Sequence, residues 1–417
     1  MVNCGGMLSI TSADEAYEFG KPMLKHFQLE HGVTYLNSAG FGVVPWVIRD
    51  ARLEWMDKIE RAPDRFMMDS FDIQVEKALE PLAAYIGAPH SDVVFVNNIT
   101  MGLSTITRSL DLKRGDRVLV LNSAYSTVRV LLDYLVEEYG VILVEFNHRE
   151  ESNQDLLANL KALLKDLESQ NLKLKCALFE AITSSPALIL PYEEMARLIK
   201  RYGALVIVDG AHCFGQVPLK LGESCIDFFV TNLHKWGFTY RPAALMYVRK
   251  EHQKQLYLPM ISTGYVAPDF KRSFSWPGTH DFSLWLCTPA ALRFRQELGD
   301  SAIREYCHTL AWQGGHRVAK ILGTKVLGDK SQMGFMANVL LPVMNSGTDI
   351  SLPIIEYLWS NHKVRTKIIL FHNQWYTRIS AQIFNTEEDF VKLATCLLEA
   401  LHALNIYSTP SKSISTQ

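Results

Sequence analysis

The chain has 417 residues, of which 48% are hydrophobic and 21% are charged, and its formal net charge is −2. A chain of this length and apolar content can bury the core of one large domain or of two ordinary ones. The near-neutral charge excludes an electrostatic argument for binding nucleic acid or an anionic membrane, and no run of 18 apolar residues predicts a membrane-spanning helix.

The cysteines are scattered, and none forms a C-x-x-C pair. The seven are Cys4, Cys176, Cys213, Cys225, Cys287, Cys307 and Cys396. This spacing is typical of reduced thiols in an intracellular protein, and not of a disulfide framework or a zinc site. The N-terminus also lacks the basic segment and apolar core of a secretory signal, so we expect a cytoplasmic protein.

In chain order, the first candidate site segment follows a short predicted strand at 33–36. It consists of Asn37 and a run of small residues at 38–42. Small residues permit close approach of the backbone, so this segment is either the wall of a site or a simple turn. Predicted helices follow at 46–60 and 71–87.

The next strands each end in polar residues. The strand at 93–96 leads to Thr100 at the start of a helix, which is either an anion site built from free N–H groups or an ordinary helix cap. The strand at 118–121 leads to Tyr125, whose ring either covers a flat ligand or packs on its own sheet. A later strand ends at Glu180.

The most informative part of the sequence is a predicted strand at 204–208. Asp209 follows it directly, and Lys235 lies farther along the chain. Five consecutive apolar residues are typical of a buried central strand, and ligands bind beyond the carboxyl ends of such strands. Either residue alone is better explained as a partly exposed strand-end aspartate or a solvated lysine. Together with His212 they fit pyridoxal phosphate (PLP), which needs a lysine to hold it as a Schiff base and a carboxylate to keep its ring nitrogen protonated.

Alternation of strands and helices from 93 to about 250 predicts a mainly parallel sheet covered on both faces. The polar residues at the strand ends would then share one edge of the sheet. From 288 onward, helices and strands in a different order predict a smaller α/β domain. The predicted organisation is an N-terminal arm at 1–32, a large domain at 33–287, a small domain at 288–407 and a flexible tail at 408–417.

From about 19 to 404 the sequence resembles the class V aminotransferase-fold PLP enzymes, which have the fold of PLP-dependent transferases (fold type I). Within that family it is similar to the branch of isopenicillin N epimerase and the hercynylcysteine sulfoxide lyases of ergothioneine biosynthesis. Four segments carry the resemblance, in the expected order: 209–212, 232–236, 276–281, and 376–380 followed by Asn385.

The resemblance implies a role for each matching position. Lys235 would be the Schiff-base lysine and the base for the Cα proton, Asp209 would hold the pyridinium proton, and Tyr125 would stack on the ring. The remaining assignments fall into three groups. They are the phosphate contacts Ile99, Thr100, Asn232 and His234; the cofactor or substrate contact His212; and the substrate contacts Arg378, for the α-carboxylate, and Asn37. Thr279 would reach the phosphate of a partner subunit, which implies a homodimer with shared sites.

Two positions depart from the family pattern. Many relatives have Asp-His where this chain has Glu180 and Ala181, so Glu180 is either a second acid near the ring or a charged strand end. The region at 326–335 contains no cysteine, whereas simple cysteine desulfurases need a mobile thiol there. Direct persulfide chemistry is therefore disfavoured.

The favoured activity is carbon–sulfur bond cleavage by β-elimination on a cysteine conjugate or sulfoxide, such as hercynylcysteine sulfoxide. It rests on similarity of the segments at 305–308 and 375–378 to the ergothioneine-pathway lyases. The alternatives are amino-acid epimerisation, a decarboxylative condensation of secondary metabolism, and a cofactor-free scaffold with the same fold. Intact Lys235 and Asp209 argue against the scaffold.

Overall fold

The computed structural model describes residues 17–148, 151–256, 258, 260–267, 269–343 and 347–408. The first half of the predicted arm, which includes Cys4, and all of the predicted tail except Ser408 lie outside these residues. The fold that follows is that of the described part.

A short strand, β1 (Thr34–Tyr35), precedes the central sheet along the chain. The seven strands of that sheet are β2 (Val93–Val96), β3 (Arg117–Leu121), β4 (Ile142–Phe146), β5 (Leu174–Glu180), β6 (Leu205–Asp209), β7 (Phe228–Asn232) and β8 (Ala244–Val248). Their spatial order is β2-β8-β7-β6-β5-β3-β4. Only β8 runs antiparallel to its neighbours, which confirms the predicted mainly parallel sheet.

The central strands are uniformly apolar because both of their faces are covered. Val206 and Val208 of β6 belong to the core on one side of the sheet, whereas Ile207 belongs to the core on the other side. All three side chains are fully buried. A strand that is buried on both faces gains stability from every residue, so its sequence shows a continuous apolar run and no alternation.

Helices pack around the central sheet and around a second sheet in the C-terminal part of the chain. In chain order they are α1 (Ser38–Phe41), α2 (Trp46–Glu60), α3 (Pro63–Arg65), α4 (Phe71–Tyr85), α5 (Ile99–Ser109), α6 (Ser126–Tyr139), α7 (Asn153–Ser169), α8 (Tyr192–Arg201), α9 (Leu233–Trp236), α10 (Phe270–Ser275), α11 (Ser283–Leu286), α12 (Thr288–Glu297), α13 (Asp300–Leu322), α14 (Ser351–His362) and α15 (Glu387–Ala403). Short 3₁₀ helices lie at Lys21–His26, His90–Asp92, Leu221–Glu223, Lys250–Gln255 and Thr263–Val266, and a π-helical turn lies at Phe66–Ser70. No helix among the described residues combines the length and the apolar character that crossing a bilayer requires.

A second sheet lies in the C-terminal part of the chain. It contains β9 (Val326–Leu327), β10 (Met336–Leu340), β12 (Lys367–Phe371) and β13 (Gln374–Ser380), all antiparallel, in the order β12-β13-β10-β9. The intervening strand β11 (Val364–Arg365) pairs instead with β1, in parallel. The start of the predicted large domain is thus attached to the C-terminal part, and the domain boundaries remain a prediction.

Candidate active site

The polar residues that end the strands lie along one edge of the central sheet. Thr100, Tyr125 and Lys235 follow β2, β3 and β7, while Glu180 and Asp209 are the last residues of β5 and β6. Because these strands run in the same direction, their carboxyl ends meet at the same edge. Glu180 and Asp209 are also direct partners in the β5–β6 register, so two carboxylates stand side by side.

Lys235 lies in the short helix α9, directly after β7. Its Nζ is 3.0 Å from Nε2 of His212, and Asp209 is near enough to act on its charge. Burial lowers the pKa of Lys235 from its ordinary value, and the carboxylate of Asp209 partly opposes that shift. Burial also holds the pKa of His212 well below its usual range, so that ring is neutral. The site thus supplies a lysine amine that deprotonates easily, which attack on an aldehyde requires.

Asp209 and Glu180 form a coupled pair of buried acids. The N–H of Ala211 donates to Asp209 Oδ1 at 2.9 Å, and the N–H of Tyr125 donates to Glu180 Oε1 at 2.8 Å. Burial raises the pKa of each carboxyl, and the charge of Asp209 raises the pKa of Glu180 further. The pair therefore favours a protonated Glu180 beside an ionised Asp209, which Lys235 stabilises.

The start of helix α5 approaches the end of β7 closely. Gly102 makes this possible, because a Cβ there would lie 2.6 Å from a methyl carbon of Val230. The N–H of Ile99 donates to Asn232 Oδ1 at 3.1 Å, so two of the predicted phosphate contacts bind each other in this structure. Thr100 is exposed at the helix start. His234, whose pKa burial lowers to about 4, has a buried Nδ1 without a partner among the described residues.

Arg378 of β13 is buried and reaches the site from the C-terminal sheet. Its Nη1 donates to the carbonyl oxygen and to Oγ of Ser184 at 2.8 and 3.0 Å, and its Nη2 donates to Asn37 Oδ1 at 3.1 Å. The structure therefore brings together the two residues assigned to the substrate, Arg378 and Asn37. Burial lowers the pKa of Arg378 to about 10, so the guanidinium stays charged at neutral pH.

The segment at 38–42, which consists mostly of small residues, packs directly on the lysine segment through Gly42. Gly42 has φ 67°, and a Cβ at this position would lie 1.6 Å from the carbonyl oxygen of His234. Only glycine tolerates both the conformation and the contact. The structure thus supports the interpretation of this segment as a wall of the site over that of a simple turn.

Sequence reasoning assigned no role to two residues near the site, Ser184 and Lys367. Ser184 holds Arg378, while Lys367 lies beside Arg378 in the neighbouring strand, with its Nζ 5.9 Å from the centre of the Tyr125 ring. The sequence signal for Lys367 is that it is a charged residue within a predicted strand. Such a residue ordinarily lies on a solvated face of a sheet. Thr279, in contrast, is exposed, and no hydrogen bond joins it to the other site residues within the described part of the chain.

The site meets the chemical requirements of a phosphate-bearing aldehyde cofactor and an amino acid. Buried polar atoms lacking a partner among the described residues surround Lys235: Glu180 Oε2, His212 Nδ1, His234 Nδ1 and Arg378 Nε. Such atoms cost free energy unless a ligand or water satisfies them. A lysine amine, a carboxylate, hydroxyl and amide groups at a helix start, and a guanidinium are the set that PLP and an amino-acid carboxylate would use.

Comparison with known proteins agrees with this chemistry. The profile of the family Aminotransferase class-V matches residues 35–351. The chain is 32% identical, over 362 residues, to an L-cysteine desulfhydrase-like protein (lolT1) of Epichloe uncinata, covering 81% of this chain and 79% of the relative. It is 27% identical over 395 residues to the hercynylcysteine sulfoxide lyase of Schizosaccharomyces pombe, covering 90% and 96%.

The fold is also that of a solved enzyme. The apo structure of a cysteine desulfurase from Thermococcus onnurineus NA1 superposes with a TM-score of 0.76 at 17% identity, covering 93% of this chain and 99% of that one. The profile match spans most of the chain, and enzymes of this family act through PLP, so PLP is the cofactor of this protein. The chain belongs to the class-V aminotransferase family of PLP-dependent enzymes.

Proposed function

We propose that this protein is a PLP-dependent carbon–sulfur lyase that acts by β-elimination on a cysteine S-conjugate or cysteine sulfoxide. The observation that carries the proposal is the arrangement of Lys235 beside neutral His212 and of Arg378 beside Asn37 at the edge of the same pocket. The desulfhydrase-like and sulfoxide-lyase names of its relatives support the same reaction class.

PLP, when bound, supplies an electron sink that acidifies the Cα–H bond of an attached amino acid. In this chain Lys235 would hold the cofactor, Asp209 would keep its ring nitrogen protonated, and Tyr125 would cover the ring. The phosphate would be taken by Thr100, the N–H of Ile99, Asn232 and His234. Binding there exchanges the Ile99–Asn232 hydrogen bond for bonds to an anion, which are stronger.

The substrate would be oriented by Arg378 and Asn37 through its α-carboxylate. The neutral amine of Lys235 would then take the Cα proton, a task favoured by its lowered pKa. The Cβ–S bond breaks, its electron pair leaves with sulfur as a thiolate or sulfenate, and the three-carbon product hydrolyses to pyruvate and ammonia.

Five of the six described cysteines are buried, which argues against a persulfide intermediate on the protein. Cys213, Cys287 and Cys307 are buried, and burial raises the pKa of Cys287 and of Cys307 to about 12. Such thiols are poor nucleophiles at neutral pH. The sulfur-containing product would therefore be released into solvent and would not be transferred to a cysteine of the enzyme.

The decisive assay measures pyruvate and ammonia released by the holoenzyme from cysteine S-conjugates and from cysteine sulfoxides. We expect release of both products in equal amounts. Absence of release, with retained exchange of the Cα proton for deuterium, would contradict the lyase and favour an epimerase. Absence of both would contradict any reaction at Cα.

We further propose a cytoplasmic homodimer with shared active sites. Exposed apolar side chains support an interface, because contact with a second chain would remove their apolar surface from water. They include Phe41, Met68, Ile261 and Val266, each at least 67% exposed. The six described cysteines are free thiols, which supports a reducing compartment.

The shared site predicts a measurable role for Thr279. A hydrogen bond to a charged group is worth about 1.5–3 kcal/mol, so T279A should weaken PLP binding by about tenfold or more. Equilibrium dialysis of PLP measures this effect, and T395A, at an exposed threonine of α15, is the matched control. A molar mass of one chain in light scattering, or unchanged PLP affinity in T279A, would contradict the shared site.

A further inference from the structure

A row of three polar residues crosses the C-terminal sheet beside the active site. Arg378 of β13 is paired in register with Asn338 of β10 on one side and with Lys367 of β12 on the other. Residues directly opposite one another in antiparallel strands project from the same face. Asn338, Arg378 and Lys367 therefore face the same side of the sheet.

Two of the three residues are held by the segment that follows β5. The side chain of Asn338 accepts from the N–H of Ala187 and donates to its carbonyl oxygen, both at 2.9 Å. Arg378 donates to Ser184 of the same segment and to Asn37. This face of the sheet is thus docked on the active-site edge, and the positions of Asn338 and Arg378 are fixed by protein contacts.

Lys367 has no such partner. Within the described residues its Nζ forms no hydrogen bond and no ion pair. Its polar neighbours include the Tyr125 ring, 5.9 Å away, and Arg378, and its charge also acts on Lys235 and His212. Tyr125 is 40% exposed and Lys367 is half-buried, so both side chains are partly accessible to solvent. Burial and then the charge of Arg378 lower the pKa of Lys367 to about 8.

This arrangement costs stability in the absence of ligand. Two cations stand side by side on neighbouring strands, and like charges directly opposite each other are destabilising. Arg378 would bind the α-carboxylate of the substrate, so Lys367 is available to bind a second anionic group. A half-buried cation without a partner is what an anionic group of a ligand would stabilise most.

We propose that Lys367 is a specificity-determining residue that binds a second anionic group, carried on the sulfur substituent of the substrate. The substrates are then cysteine conjugates with an acidic substituent, such as a carboxylate, and not simple alkyl conjugates. This inference rests on the proposed lyase function only in that the substrate carries sulfur. Recognition of the anionic group by Lys367 does not depend on that function.

The test uses two ligands of the same shape that differ in charge and cannot be eliminated. L-2-Aminoadipate and its side-chain amide, L-homoglutamine, match S-carboxymethyl- and S-carbamoylmethyl-cysteine with a methylene in place of sulfur. Binding to the holoenzyme is followed through the visible absorbance of the cofactor. We expect the acid to bind about tenfold more tightly than the amide, the scale of one charge-assisted contact.

Substitutions then assign the preference to Lys367. K367M should abolish the preference, K367R should keep it, and K165M, at an exposed lysine of α7, should leave it unchanged. Equal weakening of both ligands in K367M would overturn the inference, because Lys367 would then act on the α-carboxylate or the cofactor. No preference in the unmodified enzyme would overturn it as well. An acid preference without pyruvate release from S-carboxymethyl-cysteine would support this inference and contradict the lyase.

Discussion

Replacing Lys235 with alanine should lower pyruvate release by about 10⁴-fold, the upper end of the contribution of a general acid–base group. The residue lies beside Asp209 and 3.0 Å from His212. Lys367, which also lies near the site, forms no hydrogen bond with His212 within the described part of the chain. Steady-state rates at saturating cysteine conjugate measure the loss. The absorbance of the cofactor should also change, because PLP would bind without a covalent bond to the protein.

The same residue gives a stability test with a defined sign. The pKa of Lys235 is lower in the folded protein than in the unfolded chain. At any pH below the unfolded pKa, the folded protein therefore binds the Lys235 proton less tightly than the unfolded chain does. The ammonium therefore costs stability at neutral pH, and the cost disappears as pH rises through the unfolded value. Apo K235M should accordingly unfold at a temperature no lower than the apo parent at pH 7. A lower unfolding temperature would show that the charge is stabilising and would contradict the assigned shift.

Replacing Arg378 with lysine should lower kcat/KM by about 100-fold, within the range that loss of a buried, charged hydrogen-bond partner produces. Lysine keeps the charge but cannot donate from two parallel N–H groups to a carboxylate while also contacting Ser184 and Asn37. We expect the loss for every amino-acid substrate, since all carry the α-carboxylate.

The matched comparison for Arg378 is R365K, an exposed arginine two positions before β12. It should leave kcat/KM within about twofold, as surface substitutions usually do. If R378K acted only on substrates with an acidic substituent, the α-carboxylate assignment would be wrong and the roles of Arg378 and Lys367 would be exchanged.

The sequence predicted the active-site edge because the strands of the central sheet contain short apolar runs. Val206, Ile207 and Val208 are buried on both faces, and a run of this kind identifies the strand and its last residue without knowledge of its neighbours. Parallel direction then places Asp209 and the residues after the other strands together. The edge could thus be predicted from local patterns alone.

Features that depend on register were not predictable in this way. Lys367 faces the pocket because β12 pairs with β13 in the register that sets it opposite Arg378, and a shift of one residue would turn it to the other face. The sequence patterns also do not predict the short helix α10. There the side chain of Asp269 accepts from the N–H of Arg272 at 2.9 Å, and Phe270 and Phe274 are buried.

The pairing of β1 with β11 has a consequence for motion. The N–H of Leu36 donates to the carbonyl oxygen of Arg365, and the N–H of Ser380 donates to the carbonyl oxygen of Leu36, so this stretch of main chain is inserted between two C-terminal segments. Asn37 follows immediately. A hinge movement of the C-terminal sheet would therefore carry Asn37 along with Arg378 as a single rigid piece. Opening of the site would break the contacts between Arg378 and Ser184, whereas Arg378 and Asn37, which would bind the substrate carboxylate, would stay together.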